Sequence, residues 1–303
     1  MSELARLIEE HGAEIARYER DFNDMGGDGI PVYPFEQLFD ISTDPRPVIT
    51  VGGTYTSSYG RLSEQLQEGV IGEIQPDAYH VQFKEDVFGG TIRISLSAAR
   101  NSQQFSGILA DEMDSLRATV NKNVMGVFGE NAFSLADGWD GKPLISDTHP
   151  ILGDGSAQDN DLDTVPLNES NLETAYALMP QLKNISGVPM GHMIDTLLVH
   201  PKKLVMAQKL TGSVLVPSSG DNAINVLNGI KVVVGATLSG PNNWFAMNSR
   251  GMRRNLKLYF QEPFRIMLNE ASIDSLYIRI PTRVVLSWGY INHNWIVGSK
   301  GAS

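Results

Sequence analysis

SQQFSGILADEMDSLRATVNKNVMGVFGENAFS, residues 102–134, decides how the rest of the chain is read. Phe105, Leu109, Met113, Leu116, Val120, Val124, Val127 and Phe128 recur at three- and four-residue steps, which lines them along one side of an α-helix. Ser102 suits the N-cap, Asp111, Glu112 and Asp114 take the outward side, and Gly107, Gly126 and Gly129 fall near the ends. At about 1.5 Å per residue this predicts a rod of roughly 45 Å, longer than the roughly three turns of an average helix. A rod with one apolar seam is expected to act as a spine on which sheets and loops are hung. By periodicity alone it could equally be a long core helix of an α+β enzyme.

Working outward, residues 51–98 precede the rod and read as a polar β-rich excursion. Strands are expected at 70–74, 79–84 and 91–97, separated by breaks at Pro76-Asp77 and Gly89-Gly90. Too few large apolar residues lie between 60 and 77 for this segment to hold a core, so it reads as a projecting hairpin. Before it, residues 24–49 carry Pro31, Pro34, Pro45 and Pro47 and read as an extended arm anchored by Tyr33, Phe35 and Phe39. Residues 2–22 read as an amphipathic helix with Leu4, Ile8, His11, Ile15, Tyr18 and Phe22 on one face.

After the rod comes a stretch dense in Gly, Asp and Pro that contains GKPLISDTHP at 141–150. Ser170 and Glu173 suggest a capping box, 194–199 and 230–234 read as buried strands, and Pro201 opens a helix over 202–210. Residues 168–250 therefore form a compact α/β lobe. From residue 253 onward the alternation predicts antiparallel strands that pack on the rod, with a break at Pro281. No internal repeat or low-complexity tract occurs.

Composition narrows the function classes. The 303 residues are 42% hydrophobic, enough for a large core, and carry a formal net charge of -11. Residues 1–50 hold eleven acids against four arginines. That balance disfavours binding along a phosphate backbone, which needs clustered Lys and Arg. The absence of cysteine excludes disulfides, Cys-based zinc sites and thiol nucleophiles. No segment reads as a signal peptide or a membrane span, so the expectation is a soluble cytoplasmic protein without a membrane partner.

Catalytic motifs are weak. There is no GxSxG, HExxH or P-loop pattern. Asp159, Asp161 and Asp163 have the spacing of a calcium loop, yet Thr164 stands where glycine is needed and Ser170 where a bidentate glutamate is needed. Asp147 could orient His149 as a general base, the only candidate for a hydrolase, but no nucleophile is tied to the pair. Neither a cofactor nor a metal is expected. Arg250, Arg253, Arg254 and Lys257 form a basic cluster that could neutralise the acidic first fifty residues of the same or a neighbouring subunit, or form a solvated strand edge.

The order of parts, together with GKPLISDTHP (141–150), TLLVHPKKLVMAQKL (196–210) and NGIKVVVGATLSGPNNWFAM (228–247), resembles the major capsid proteins of tailed bacteriophages, particularly the Mu-type major head subunit. The resemblance implies the α+β Hong Kong 97 capsid fold, shared with encapsulin shells. On that pattern 1–50 is the N-terminal arm, 51–98 the E-loop, 99–167 and 251–303 the peripheral domain with its spine helix, and 168–250 the axial domain. It also implies self-assembly as pentamers and hexamers into an icosahedral head. That head would enclose double-stranded DNA without sequence-specific binding, and would be assembled in the bacterial cytoplasm and retained in the virion. A separate scaffolding protein, a maturation protease and a portal are the implied partners, since no room exists here for the scaffolding region of about a hundred residues that some relatives carry. An encapsulin-like compartment shell is the alternative within the fold.

Overall fold

The computed structural model describes residues 3–24, 33–56, 76–152, 155–213, 225–267, 271–274 and 276–302. The strand expected at 70–74, and with it most of the projecting hairpin, lies outside these residues. In chain order the elements begin α1 (Glu3–Asn23), α2 (Pro34–Leu38), β1 (Asp40–Thr43), β2 (Val48–Thr56), β3 (Pro76–Lys84), β4 (Asp86–Ser95), α3 (Leu96–Ala99) and α4 (Ser102–Val124). They continue with β5 (His149–Pro150), β6 (Ala157–Gln158), α5 (Glu169–Leu178), β7 (Thr196–Val199), α6 (Leu204–Gly212), β8 (Lys231–Val234) and β9 (Trp244–Met247). The last are α7 (Ser249–Asn255), β10 (Leu256–Ile266), β11 (Ser272–Asp274), β12 (Tyr277–Tyr290) and β13 (Ile296–Ser299). They fall into two compact units.

The first unit comprises Met1–Ile49, Phe83–Val124 and Leu258–Trp288. Its axis is α4, which buries Phe105, Leu109, Met113, Val120 and Val124 and leaves Leu116 half-buried. The elements beside it are α1, α2, α3 and β4. Residues 252–293, expected beneath the apolar seam, supply β10, β11 and β12. Helix α1 joins the two layers through particular side chains. His11 stacks on Phe105 with centroids 4.0 Å apart, and the Tyr18 hydroxyl donates to the Ser106 carbonyl at 3.2 Å. On its other side Phe22 packs on Phe264 at 4.5 Å. The Asn23 amide donates to the Phe264 carbonyl and accepts from its N–H, at 3.1 and 2.7 Å.

Beneath lies a five-stranded sheet of order β1-β10-β12-β11, with β4 also paired to β12. Strand β4 runs antiparallel to β12 from Ser95 opposite Tyr277 to Asp86 opposite Leu286. It passes straight through Gly89-Gly90, where the sequence suggested a break. A Cβ at Gly89 would stand 2.5 Å from the Thr282 carbonyl oxygen, so the glycine permits close strand approach instead of a turn. Pro281 likewise interrupts nothing, since β12 is continuous across it and its carbonyl accepts from Met267 N–H at 2.8 Å. The segment 24–49 is less extended than its prolines suggest: Pro34 starts α2, its fixed φ suiting the first helical turn, and Phe35 and Leu38 are buried there.

The spine helix stops at Val124, ten residues short of the expected end. Two 3₁₀ turns follow, Met125–Val127 and Gly129–Phe133. Gly129 has φ of 72°, a conformation in which a helix cannot continue, and a Cβ there would lie 2.5 Å from Ser239 Oγ. Val127 is partly buried and Phe128 buried, in these turns and not on the helix.

The second unit comprises Thr50–Gln82, Met125–Lys257 and Gly289–Ser303. It therefore gathers residues 125–167 and the C-terminal segment with 168–250, a division that cuts across the boundaries read from the sequence. Its four-stranded sheet has order β13-β9-β7-β8, with β7 and β8 parallel and the other neighbours antiparallel. Strands β7, β9 and β13 are buried at every position, which suits the apolar Leu197–Val199 and Trp244–Met247. The core joins Leu172, Ala175, Met179, Leu197, Val199, Ala207, Trp244, Ala246 and Val297. Helix α5 starts at Glu169, capped by Asn168, whose side-chain oxygen accepts from Asn171 N–H at 2.8 Å; the expected Ser170–Glu173 box is two residues too late. His200 caps the turn Pro201–Lys203 through Nδ1, which accepts from Lys202 N–H at 3.2 Å.

Candidate functional site

Two features of the second unit gather polar side chains. The first organises GKPLISDTHP. Asn160, fully buried, accepts from Ser146 N–H at 2.9 Å and donates to the carbonyls of Leu144 and Ile296 at 3.0 and 3.2 Å. The Tyr290 hydroxyl donates to the Lys142 carbonyl at 3.1 Å, and burial pushes its pKa well above the ordinary tyrosine value. Next to it, His149 Nδ1 donates to Asp140 Oδ2 at 2.7 Å, and the His149 and His293 rings stack with centroids 3.5 Å apart and planes 8° from parallel. The carboxylate partner of His149 is thus Asp140 and not Asp147, whose Oδ1 accepts from the adjacent Thr148 hydroxyl. With His149 only 1% exposed, the hydrolase reading loses its geometry.

Gln158 settles the state of the second histidine. Its Oε1 accepts from Lys183 N–H at 2.8 Å and its Nε2 donates to the Lys183 carbonyl at 3.0 Å, which fixes the amide orientation. The remaining N–H points at His293 Nε2, 2.8 Å away, which must accept. His293 is therefore the neutral Nδ1–H tautomer, and burial, reinforced by His149, holds its pKa well below the ordinary histidine value.

Asp140, His149 and His293 bring potential ligand atoms within 4.8 Å of one another. The donor set nonetheless fits a metal poorly. A metal lies in the plane of each imidazole that binds it, and two nearly parallel stacked rings share no such point. Ligation through His293 Nδ1 would also put a proton on Nε2 facing the Gln158 amide N–H. The cluster reads as a structural pin joining the 140–150 loop, β6 and the C-terminal segment.

The second feature is built on α7. Asn248 caps this helix by accepting from Gly251 N–H at 2.9 Å. Asp195 holds its first turn, accepting from Ser249 N–H at 2.8 Å and from the Ser249 hydroxyl at 2.6 Å. A Cβ on Gly251 would lie 2.4 Å from Trp295 Cβ, so glycine lets the helix seat against that ring. The helix carries Arg250, Arg253 and Arg254, all exposed; the basic cluster is helical and not a strand edge, and only Lys257 lies on β10. The Lys257 ammonium donates to the Arg253 carbonyl at 3.3 Å. Arg250 and Arg254, one turn apart, flank a cavity of about 580 Å³ that Tyr79, His192, Asn292 and Asn294 also line. Burial, and then Arg250 and Arg254, lower the His192 pKa. Sequence reasoning reached the arginines but missed His192, Asp140 and His293. The Arg250–Arg254 spacing after a capping asparagine was a legible sign that the cluster is helical.

No helix among the described residues is long and apolar enough to cross a membrane. The family model for phage capsid proteins matches residues 81–285, more than half the chain. None of the curated proteins compared matches the sequence. Among solved structures, the capsid of an empty GTA particle is 10% identical, with 91% of this chain and 92% of that chain covered and a TM-score of 0.58. A chain from Mycobacterium phage Patience is 12% identical, covering 100% of this chain and 89% of its own, with a TM-score of 0.54. A virus-like particle from Pyrococcus furiosus is 10% identical, covering 94% and 99%, with a TM-score of 0.51. At such identities the likeness is one of fold, and the fold is that of Hong Kong 97-type capsids. The match over 81–285 and this fold place the chain in the phage capsid protein family, as a structural, shell-forming protein.

Proposed function

We propose that this chain is the major head subunit of a tailed phage or prophage of the Mu type. It assembles with itself as pentamers and hexamers into an icosahedral shell that encloses double-stranded DNA, in the cytoplasm of the bacterial host. The observation that carries the proposal is the capsid family match across residues 81–285. In this reading residues 99–167 and 251–303 form the peripheral domain with α4 as its spine, and residues 168–250 the axial domain. Residues 1–50 act as the N-terminal arm and 51–98 as the E-loop. Phe105, Leu109, Met113, Leu116, Val120 and Val124 serve as the spine core, and Arg250, Arg253, Arg254 and Lys257 as inter-subunit charges. A separate scaffolding protein, a maturation protease and a portal complete the assembly.

Burial repeated around a closed lattice makes interfaces of ordinary size, about 1,600 Å² each, collectively strong. The acidic excess of the chain suits a container that must not hold its DNA too tightly. The likeness to the virus-like particle from Pyrococcus furiosus supports a second reading, a compartment shell that encloses protein cargo. Expressing the chain alone and examining it by sedimentation and negative-stain microscopy tests the proposal. Capsomers or uniform shells are expected, and a persistent monomer or dimer across protein concentration and salt overturns it. Neighbouring genes for a portal and terminase, against a gene for a cargo enzyme, separate the two readings.

A further inference from the structure

We infer that the cavity between Arg250 and Arg254 is an oxyanion-binding socket, filled in the assembled shell by carboxylate side chains of a second copy of this chain. The inference rests on the shell-forming reading above and narrows the basic cluster to two of its four members. Arg250 and Arg254 project from a short helix fixed at both ends, by Asn248 and Asp195 at its start and by Asn255, whose carbonyl accepts from Ile291 N–H at 3.0 Å. Two guanidinium groups one turn apart on a rigid support give a preorganised fork for carboxylate oxygens.

The surroundings point the same way. Among the described residues no acidic residue lines the cavity and neither arginine forms an ion pair. Asn292 and Asn294 add amide groups to the wall and Tyr79 a hydroxyl. Like charges at i and i+4 of one helix repel each other, and an incoming anion relieves that cost. Arg253 and Lys257 do not line the cavity.

The choice of occupant follows from charge. A nucleic acid approaching the subunit meets a net charge of -11, whereas a neighbouring copy offers a concentrated source of carboxylates in residues 1–50, with eleven acids against four arginines. Within a shell that source is present at every subunit at high effective concentration.

Carbodiimide chemistry on assembled particles tests the contact directly, since it joins an amine to a carboxylate already in contact with it. Shells of the Arg254→Lys variant are treated with carbodiimide and digested. Mass spectrometry is expected to find position 254 joined to an Asp or Glu of another copy, and the link should be absent from wild-type shells. In parallel, the Arg250→Gln/Arg254→Gln double variant should keep the wild-type melting temperature yet need roughly tenfold or more protein to assemble. An Arg253→Gln control should assemble normally. Wild-type assembly with no inter-subunit link at 254 and an unchanged threshold in the double variant overturns the socket while leaving the shell reading intact. So does normal assembly of the double variant with loss only of packaged nucleic acid, which would make phosphate the occupant. Failure of the wild-type chain to assemble overturns the shell reading itself.

Discussion

Acid should weaken the second unit through His293. In the fold this side chain is 3% exposed and accepts from Gln158, so its protonated form is strongly disfavoured and its pKa lies below the unfolded value of about 6.5. Because the unfolded chain then binds the extra proton, the contribution is fully present above pH 6.5 and shrinks as pH falls below it. The slope is at most about 1.4 kcal/mol per pH unit, which gives up to about 2 kcal/mol between pH 6.5 and pH 5. Replacing His293 with Phe keeps a ring against His149 but removes the titration; it leaves the third Gln158 hydrogen bond unmade, at about 1–3 kcal/mol. Urea unfolding at pH 7, 6 and 5, followed by fluorescence of Trp139, Trp244 and Trp295, measures both effects. Wild type should lose stability towards pH 5 more steeply than His293→Phe, although the variant starts lower at pH 7. Parallel pH profiles for the two proteins would refute the assignment of His293 as a buried neutral acceptor.

Other consequences are equally specific. Val120→Asp buries a charge at a fully enclosed site on α4 and should prevent folding, whereas Leu116→Asp, at a half-buried site, should cost only about 1–2 kcal/mol; circular dichroism and urea midpoints separate them. Gly251→Ala places a methyl 2.4 Å from Trp295 Cβ and should destabilise the second unit by about 1–3 kcal/mol, seen as a lower urea midpoint. Excising residues 58–74, with a short linker joining β2 to β3, spares the β4–β12 register and should leave a folded subunit that cannot close a shell; closed particles from this variant under the microscope would refute the E-loop assignment.

Several elements were legible because local chemistry decided them. The seam from Phe105 to Val124 follows helical spacing, and the apolar runs at β7 and β9 belong to strands buried on both faces. Errors arose where a residue has two physical uses. Gly89 permits strand contact as readily as a turn, and Pro34 starts a helix as readily as it extends an arm. The spine ends at Val124, and beyond it Gly129 takes a positive φ with no room for a Cβ beside Ser239, a neighbour more than a hundred residues away in sequence. The histidine pin was hidden for the same reason. Asp140 and His149 are nine residues apart, but His293 reaches them only through the tertiary fold, and a spacing argument naturally chose the nearer Asp147.

The central claim is that copies of this chain form the wall of a closed shell. Cryo-electron microscopy of the purified, self-assembled protein tests it most directly. Closed particles whose walls are made of this subunit, arranged around both five-fold and six-fold positions, are the predicted result. A protein that stays a monomer or dimer under every assembly condition, scaffolding protein included, or forms only disordered aggregates, would contradict it.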